Sequence, residues 1–191
     1  VENFDITSGS SSDTITTGDG NDVVHAGAGN DTVSLAGGND EAIYTMTSNV
    51  GNTDVYKGGD GVDTLTLGLT QDQWDSDEVK ADIRDYLEFQ ENQTSTSGEA
   101  DSQVFKFKAF NLSVSEFENL RVFAGDVEVD PTSALQTHIN YGDYAGEYEQ
   151  VRADGGVGND TITFGRGAVD AHADGGDGDD TITLGNYAGE Y

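Results

Sequence analysis

Aspartate recurs every nine residues near the start of the chain, at Asp13, Asp22, Asp31 and Asp40. Written in rows of nine, the first 45 residues read VENFDITSG, SSSDTITTG, DGNDVVHAG, AGNDTVSLA and GGNDEAIYT, with each of these aspartates fourth in its row. Gly9, Gly18, Gly27 and Ala36 close rows, and Ile15, Val24, Val33 and Ala42 place a hydrophobe two residues after each aspartate. The phrase returns as GGDGVDTLTLG at 58–68, GGVGNDTITFG at 155–165 and GGDGDDTITLG at 175–185, the last two copies twenty residues apart. Glycine allows positive φ and leaves backbone carbonyls bare, and aspartate adds a carboxylate. An all-oxygen donor set of this kind suits calcium rather than zinc or copper.

The composition asks for such an ion. Eight basic and 37 acidic residues give a formal charge of −29, which opposes compaction and repels nucleic acid and anionic membranes. A hydrophobic fraction of 34% is low for a fold held by burial alone. With no cysteine, disulfides are excluded. No apolar run approaches the roughly 20 residues of a membrane span, so no membrane insertion is expected. The chain opens without methionine or signal peptide and is expected to be part of a longer polypeptide.

The rows match the nonapeptide G-G-x-G-x-D-x-U-x, and here the chain resembles the RTX (repeat-in-toxin) proteins. That resemblance implies a mainly β fold, a calcium-loaded parallel β-roll or solenoid split by an inserted helix plus strands. In such a roll two nonapeptides make a coil. It would stack Asp13 with Asp31 and Asp22 with Asp40; in the later copies, Asp160 with Asp180 and Asp154 with Asp174, Gly158 and Gly178 adding carbonyl oxygens. Asp63 belongs to the same class of ligand, with its stacking partner unassigned. Several calcium ions are expected, and folding coupled to their binding. The alternative, a disordered glycine- and aspartate-rich spacer, is disfavoured by copies in phase, each followed by T-I-T or T-L-T in the later repeats.

The whole chain, 1–191, is expected to be one ligand-binding domain, with a nonapeptide roll at 1–68, an insertion at 69–150 and repeat coils at 151–191. Within the insertion, Thr70 and Gln73 have capping-box spacing, and Val79, Ile83 and Leu87 recur every four residues. This predicts an amphipathic helix broken near Asp75 and Ser76, with Trp74 on the stripe that covers the roll. Lys80 and Arg84 are expected to answer neighbouring carboxylates. Phe105, Phe107 and Ala109 alternate with Val104, Lys106 and Lys108, which predicts a strand. Phe110, Leu112, Phe117, Leu120 and Val122 read as core.

The stretch INYGDYAGEYEQVRADGG interleaves Tyr141, Tyr144 and Tyr148 with Asp143, Glu147, Glu149 and Asp154. Two readings stay open for it. Tyrosines beside acidic oxygens suit a ligand-recognition site built from Tyr141, Asp143, Tyr144, Glu147 and Tyr148. The same residues suit a solvated acidic turn with its rings packed on the solenoid. Catalysis is not expected, because the chain lacks H-E-x-x-H, G-x-S-x-G and any cysteine nucleophile. The resemblance implies instead a ligand-binding module of a giant adhesin on a bacterial cell surface, exported by type I secretion and monomeric within its longer chain. Its expected ligand is an extracellular peptide or protein C-terminus; a glycan, or a purely structural role, is the alternative.

Overall fold

The triplets DIT, TIT, VVH and TVS are β-branched and too short to be anything but strands, and six-residue glycine turns separate them. They form β1 (Asp5–Thr7), β2 (Thr14–Thr16), β3 (Val23–His25) and β4 (Thr32–Ser34) in a computed structural model that describes residues 2–93, 103–136, 138–141, 151–165 and 171–185. One side chain of each triplet points inward. Ile6 pairs with Val24 and Ile15 with Val33 across parallel strands, eighteen residues apart. Val24 and Val33 are buried, while Ile6 and Ile15, on the outermost coil, are half-buried.

The step then lengthens. β5 (Gly37–Gly38), β6 (Glu41–Thr45), β7 (Asp54–Lys57), β8 (Asp60–Gly61) and β9 (Thr64–Leu69) complete the next coils, with Glu41 opposite Thr64 and Thr32 opposite Val55, 23 residues apart. A 3-10 helix at Met46–Asn49 fills the longer turn.

Next come α1 (Gln71–Trp74) and α2 (Asp77–Gln93). Thr70 Oγ1 accepts from Gln73 N and Gln73 Oε1 from Thr70 N, so the capping box forms, and the break falls at Asp75 and Ser76. The buried stripe is Trp74, Val79, Ile83 and Tyr86, with Leu87 only half-buried. Four-residue steps overrun the helix: eight residues turn about 800°, some 80° past the starting face, whereas seven turn about 700° and nearly restore it. Lys80 lies over the Trp74 ring, 5.9 Å from its centroid, where a carboxylate partner was expected.

The nonapeptide ends at Gly68 but the roll continues. β10 (Phe105–Lys106), β11 (Leu112–Ser115), β12 (Asn119–Ala124) and β13 (Val127–Val129) follow the helix. β11 pairs in parallel with β7, and β12 with β9. β10 and β13 pair antiparallel at the ends, closing a five-stranded sheet β10-β11-β7-β4-β2 and a six-stranded sheet β1-β3-β6-β9-β12-β13. The strands at these ends are short, two residues in β10 and three in β13, which limits further edge-to-edge pairing there. Tyr44, Tyr56, Leu65, Leu67, Phe110, Leu112, Phe117 and Val122 are buried, and Leu120 is half-buried. A run of ring contacts leads from Tyr44 to Phe110 at 5.5 Å, Phe110 to Phe107 at 4.6 Å and Phe107 to Tyr86 of α2 at 5.1 Å. The buried Asp82 of α2 holds the adjoining loop, its Oδ2 accepting from Lys108 N at 2.5 Å and Ala109 N at 2.6 Å.

The chain divides into two compact units, Val1–Pro131 and Thr132–Tyr191, a boundary that falls inside the segment 69–150. In the second unit, β14 (His138–Tyr141), β16 (Thr161–Phe164) and β18 (Thr181–Leu184) form one parallel sheet. β15 (Val151–Asp154) and β17 (Ala171–Asp174) form another. Thr161 faces Thr181 and Val151 faces Ala171, a step of twenty. Among its described residues, Ala153, Ile162 and Phe164 form a small buried cluster, with Ala171 and Ala173 against them.

Candidate metal-binding turns

Parallel coils set the aspartates of successive turns one above another, and the backbone joins them. Along one edge of the first roll, Phe4 N donates to Asp22 Oδ1 at 2.7 Å, Asp22 N to Asp40 Oδ1 at 2.7 Å and Asp40 N to Asp63 Oδ1 at 2.8 Å. Asp40 is therefore the partner the sequence left unassigned for Asp63. Along the other edge, Asp13 N donates to Asp31 Oδ1 at 2.9 Å and Asp31 N to Asp54 Oδ1 at 2.7 Å. In the second unit Asp160 N donates to Asp180 Oδ1 at 3.0 Å.

The asparagines beside these aspartates run the opposite way. Asn39 N donates to Asn21 Oδ1 at 3.0 Å, Thr53 N to Asn30 Oδ1 at 2.7 Å and Asp179 N to Asn159 Oδ1 at 2.8 Å. Each aspartate thus reaches back to the preceding coil and each of these asparagines forward to the next, so the pair fixes coil spacing from both sides.

One oxygen of each rung is left over. The Oδ2 atoms of Asp22, Asp31, Asp40, Asp54 and Asp63 are buried without a hydrogen-bond partner. Unpaired carboxylate oxygens out of water are among the most costly features a fold can carry. Burial raises the Asp63 carboxyl to about 7, reinforced by the charges of Asp40, Glu118 and Glu116 and partly offset by the Asp40 N–H. Burial likewise raises Asp54 to about 6, with the Asp31 N–H opposing and the Asp31 charge adding, and it raises Asp40 as well. These rungs call for positive charge.

The glycines show what surrounds them. A Cβ on Gly38 (φ +143°) would stand 1.7 Å from Gly20 O, and one on Gly61 (φ +140°) 1.6 Å from Gly38 O. In the second unit a Cβ on Gly178 would stand 2.0 Å from Gly158 O, and one on Gly155 would stand 2.4 Å from both Asp160 Oδ2 and Gly175 O. The turns nest too tightly for any side chain and present carboxylate and carbonyl oxygens to one another. The residues therefore fit calcium, which the ladder aspartates and neighbouring turn carbonyls would hold; when bound, it would supply the charge that lets adjacent carboxylates stay ionised.

Among the expected ligands, Asp22, Asp31, Asp40, Asp63 and Asp160 are buried, and Asp13 and Asp180 are half-buried. Asp154 and Asp174 face each other in register yet both are exposed, at the ends of their strands. Tyr141 lies in β14 opposite Phe164. Asp143, Tyr144, Glu147 and Tyr148 lie outside the described residues. Two ladder members escaped the nonapeptide: Asp54, hidden by the 23-residue step, and Glu118, whose Oε2 accepts from Asp63 N at 2.6 Å. The pattern D-V-Y-K beside D-T-V-S would have revealed Asp54 to a search allowing turns of unequal length; no spacing marks Glu118.

Against this geometry, a family model described as the RTX calcium-binding nonapeptide repeat matches residues 7–42, 152–168 and 172–186 in four copies. The chain thus carries RTX-type calcium-binding repeats, and strands of these repeats lie in parallel β-roll sheets in both units. No curated protein and no solved structure matches it.

Proposed function

We propose that the chain is a calcium-dependent ligand-binding module of a large bacterial RTX adhesin that takes extracellular peptides or protein C-termini and so mediates attachment and biofilm formation. The observation that carries this reading is the pair of stacked aspartate turn arrays, one in each compact unit, with partnerless buried oxygens along the first. They make folding conditional on calcium, which favours a module that folds outside the cell, where calcium is abundant. RTX repeats are typical of type I secretion substrates, in keeping with export to the cell surface. The tyrosine-rich acidic stretch from Tyr141 to Tyr148, within the span of the second unit, supplies apolar faces, polar tips and carboxylates for a ligand.

Free-carboxyl peptides, their amidated counterparts and glycans are to be arrayed in calcium and again in chelator. Retention of free-carboxyl peptides in calcium alone is expected; retention of glycans only would move the module to carbohydrate recognition, and no retention would leave a structural roll. Asp143→Asn and Glu147→Gln are each expected to weaken binding at least tenfold while circular dichroism in calcium stays unchanged. Wild-type affinity in both would remove that stretch from the site.

A further inference from the structure

The first roll's aspartate ladder ends in a segment that carries no calcium motif. From Lys57 to Thr64 the chain turns through GGDGVD; one coil later, from Ser115 to Asn119, it turns through EFE alone, with Lys57 opposite Ser115 and Thr64 opposite Asn119. The shorter turn nevertheless reproduces the repeat's features. Glu118 Oε2 accepts from Asp63 N, as Asp63 Oδ1 does from Asp40 N and Asp40 Oδ1 from Asp22 N. Glutamate's additional methylene offsets the missing residues. Glu116 takes the left-handed conformation, φ +59°, that a glycine turn would supply, at a cost in strain that fixed surroundings must hold. Its carbonyl lies 1.8 Å from the Cβ that Gly58 lacks, and Asp63 Oδ2 lies 2.7 Å from the same point. Asp63 is fully buried and that oxygen has no hydrogen-bond partner.

We propose that Glu118 and the Glu116 carbonyl, together with Asp63, form a terminal calcium site that closes the first roll. Two carboxylates and a strained carbonyl converge where the next nonapeptide would have stood. The site also reaches the helical cap, because Gln90 Nε2 of α2 donates at 3.0 Å to the carbonyl of Phe117, between the two glutamates. Holding an ion there pins the β11–β12 turn, and through it the last turns of α2, to the calcium array.

The test separates a metal ligand from a mere hydrogen-bond cap. Glu118→Gln keeps an acceptor for Asp63 N and removes the charge. Native mass spectrometry of the full chain, at calcium concentrations that fill the wild type, is expected to count one ion fewer in this variant and no loss in Glu128→Gln, whose carboxylate pairs with Arg121 on the surface. An equal count with unchanged calcium affinity in Glu118→Gln would overturn the proposal, leaving Glu118 as a cap. If Glu118→Gln does not fold, wild-type crystals soaked with terbium decide. An anomalous peak within coordination distance of Asp63, Glu118 and the Glu116 carbonyl upholds the site, and its absence there while other turns are occupied refutes it.

Discussion

The two rolls share their turn chemistry and differ in what stands behind it. In the first, aspartate rungs back onto an interior of aromatic and aliphatic side chains, α2 covers that interior, and antiparallel strands end both sheets. In the second, the buried cluster among the described residues is Ala153, Ile162 and Phe164, and Ile182 and Leu184 of the last described strand are 44% and 64% exposed. A buried valine, leucine or phenylalanine contributes about 1.5–3 kcal/mol. The first roll therefore has a reserve of burial beyond its turns, while the described part of the second leans more on the turns for its cohesion.

The largest expected effect of this contrast is on calcium removal. As free calcium falls, residues 151–185 should lose amide protection at higher calcium than residues 2–93, followed by hydrogen exchange on the full chain in graded chelator. Simultaneous loss would mean that the two rolls depend equally on their ions.

Removing the reserve should narrow the gap. Phe107→Ala empties a fully buried position that stacks on Phe110 and touches Tyr86, and a loss of about 3–5 kcal/mol is expected in saturating calcium. Ile182→Ser in the second roll, already 44% exposed, should cost well under half as much. Denaturant titration of each variant gives both numbers.

Acidity should act in opposite directions with and without the ion. Folding raises Asp63 to about 7 and Asp54 to about 6, above their ordinary carboxylate values. In the metal-free first roll, stability from these groups is complete below an unfolded pKa of about 4 and is lost as pH rises through 6 to 7. With calcium chelated, more native signal is expected at pH 5 than at pH 7.5. Calcium affinity should instead fall on acidification from pH 7.5 to 5, because protons compete for the same oxygens. Calorimetric titration at several pH values measures the second effect and circular dichroism the first.

The smallest effect concerns the cap. Thr70→Ala breaks the capping box at the start of α1 and is expected to cost about 1 kcal/mol of first-roll stability while leaving the calcium count unchanged. A changed count would mean that the helix and the ions are coupled more tightly than the contrast between the rolls allows.

Much of this was legible in the sequence because one nonapeptide encodes a turn and a strand together. A nine-residue period with a hydrophobe two places after aspartate fixes both which side chain points inward and which carboxylates stack eighteen apart, as Asp13 with Asp31 and Asp22 with Asp40. The alternation from Val104 to Ala109 likewise predicted the outward lysines and the buried Phe107. Spacing was less informative for Asp154 and Asp174, which share a register but remain exposed at strand ends. A period places residues along a coil without saying how deep the coil's interior is.

The sequence by itself determined the turn chemistry, the stacking of aspartates eighteen and twenty residues apart and the parallel coil, since these depend on residues within one or two repeats of one another. Only the tertiary structure decided that Asp54 continues one ladder after a 23-residue step and that Glu118 ends the other, 55 residues beyond Asp63. It also decided that β10 and β13 pair antiparallel at the ends of the two sheets. The physical reason is shared by Asp54 and Glu118: each position rests on which surfaces meet across a long excursion of chain, and that is set by turn length and packing rather than by a local pattern.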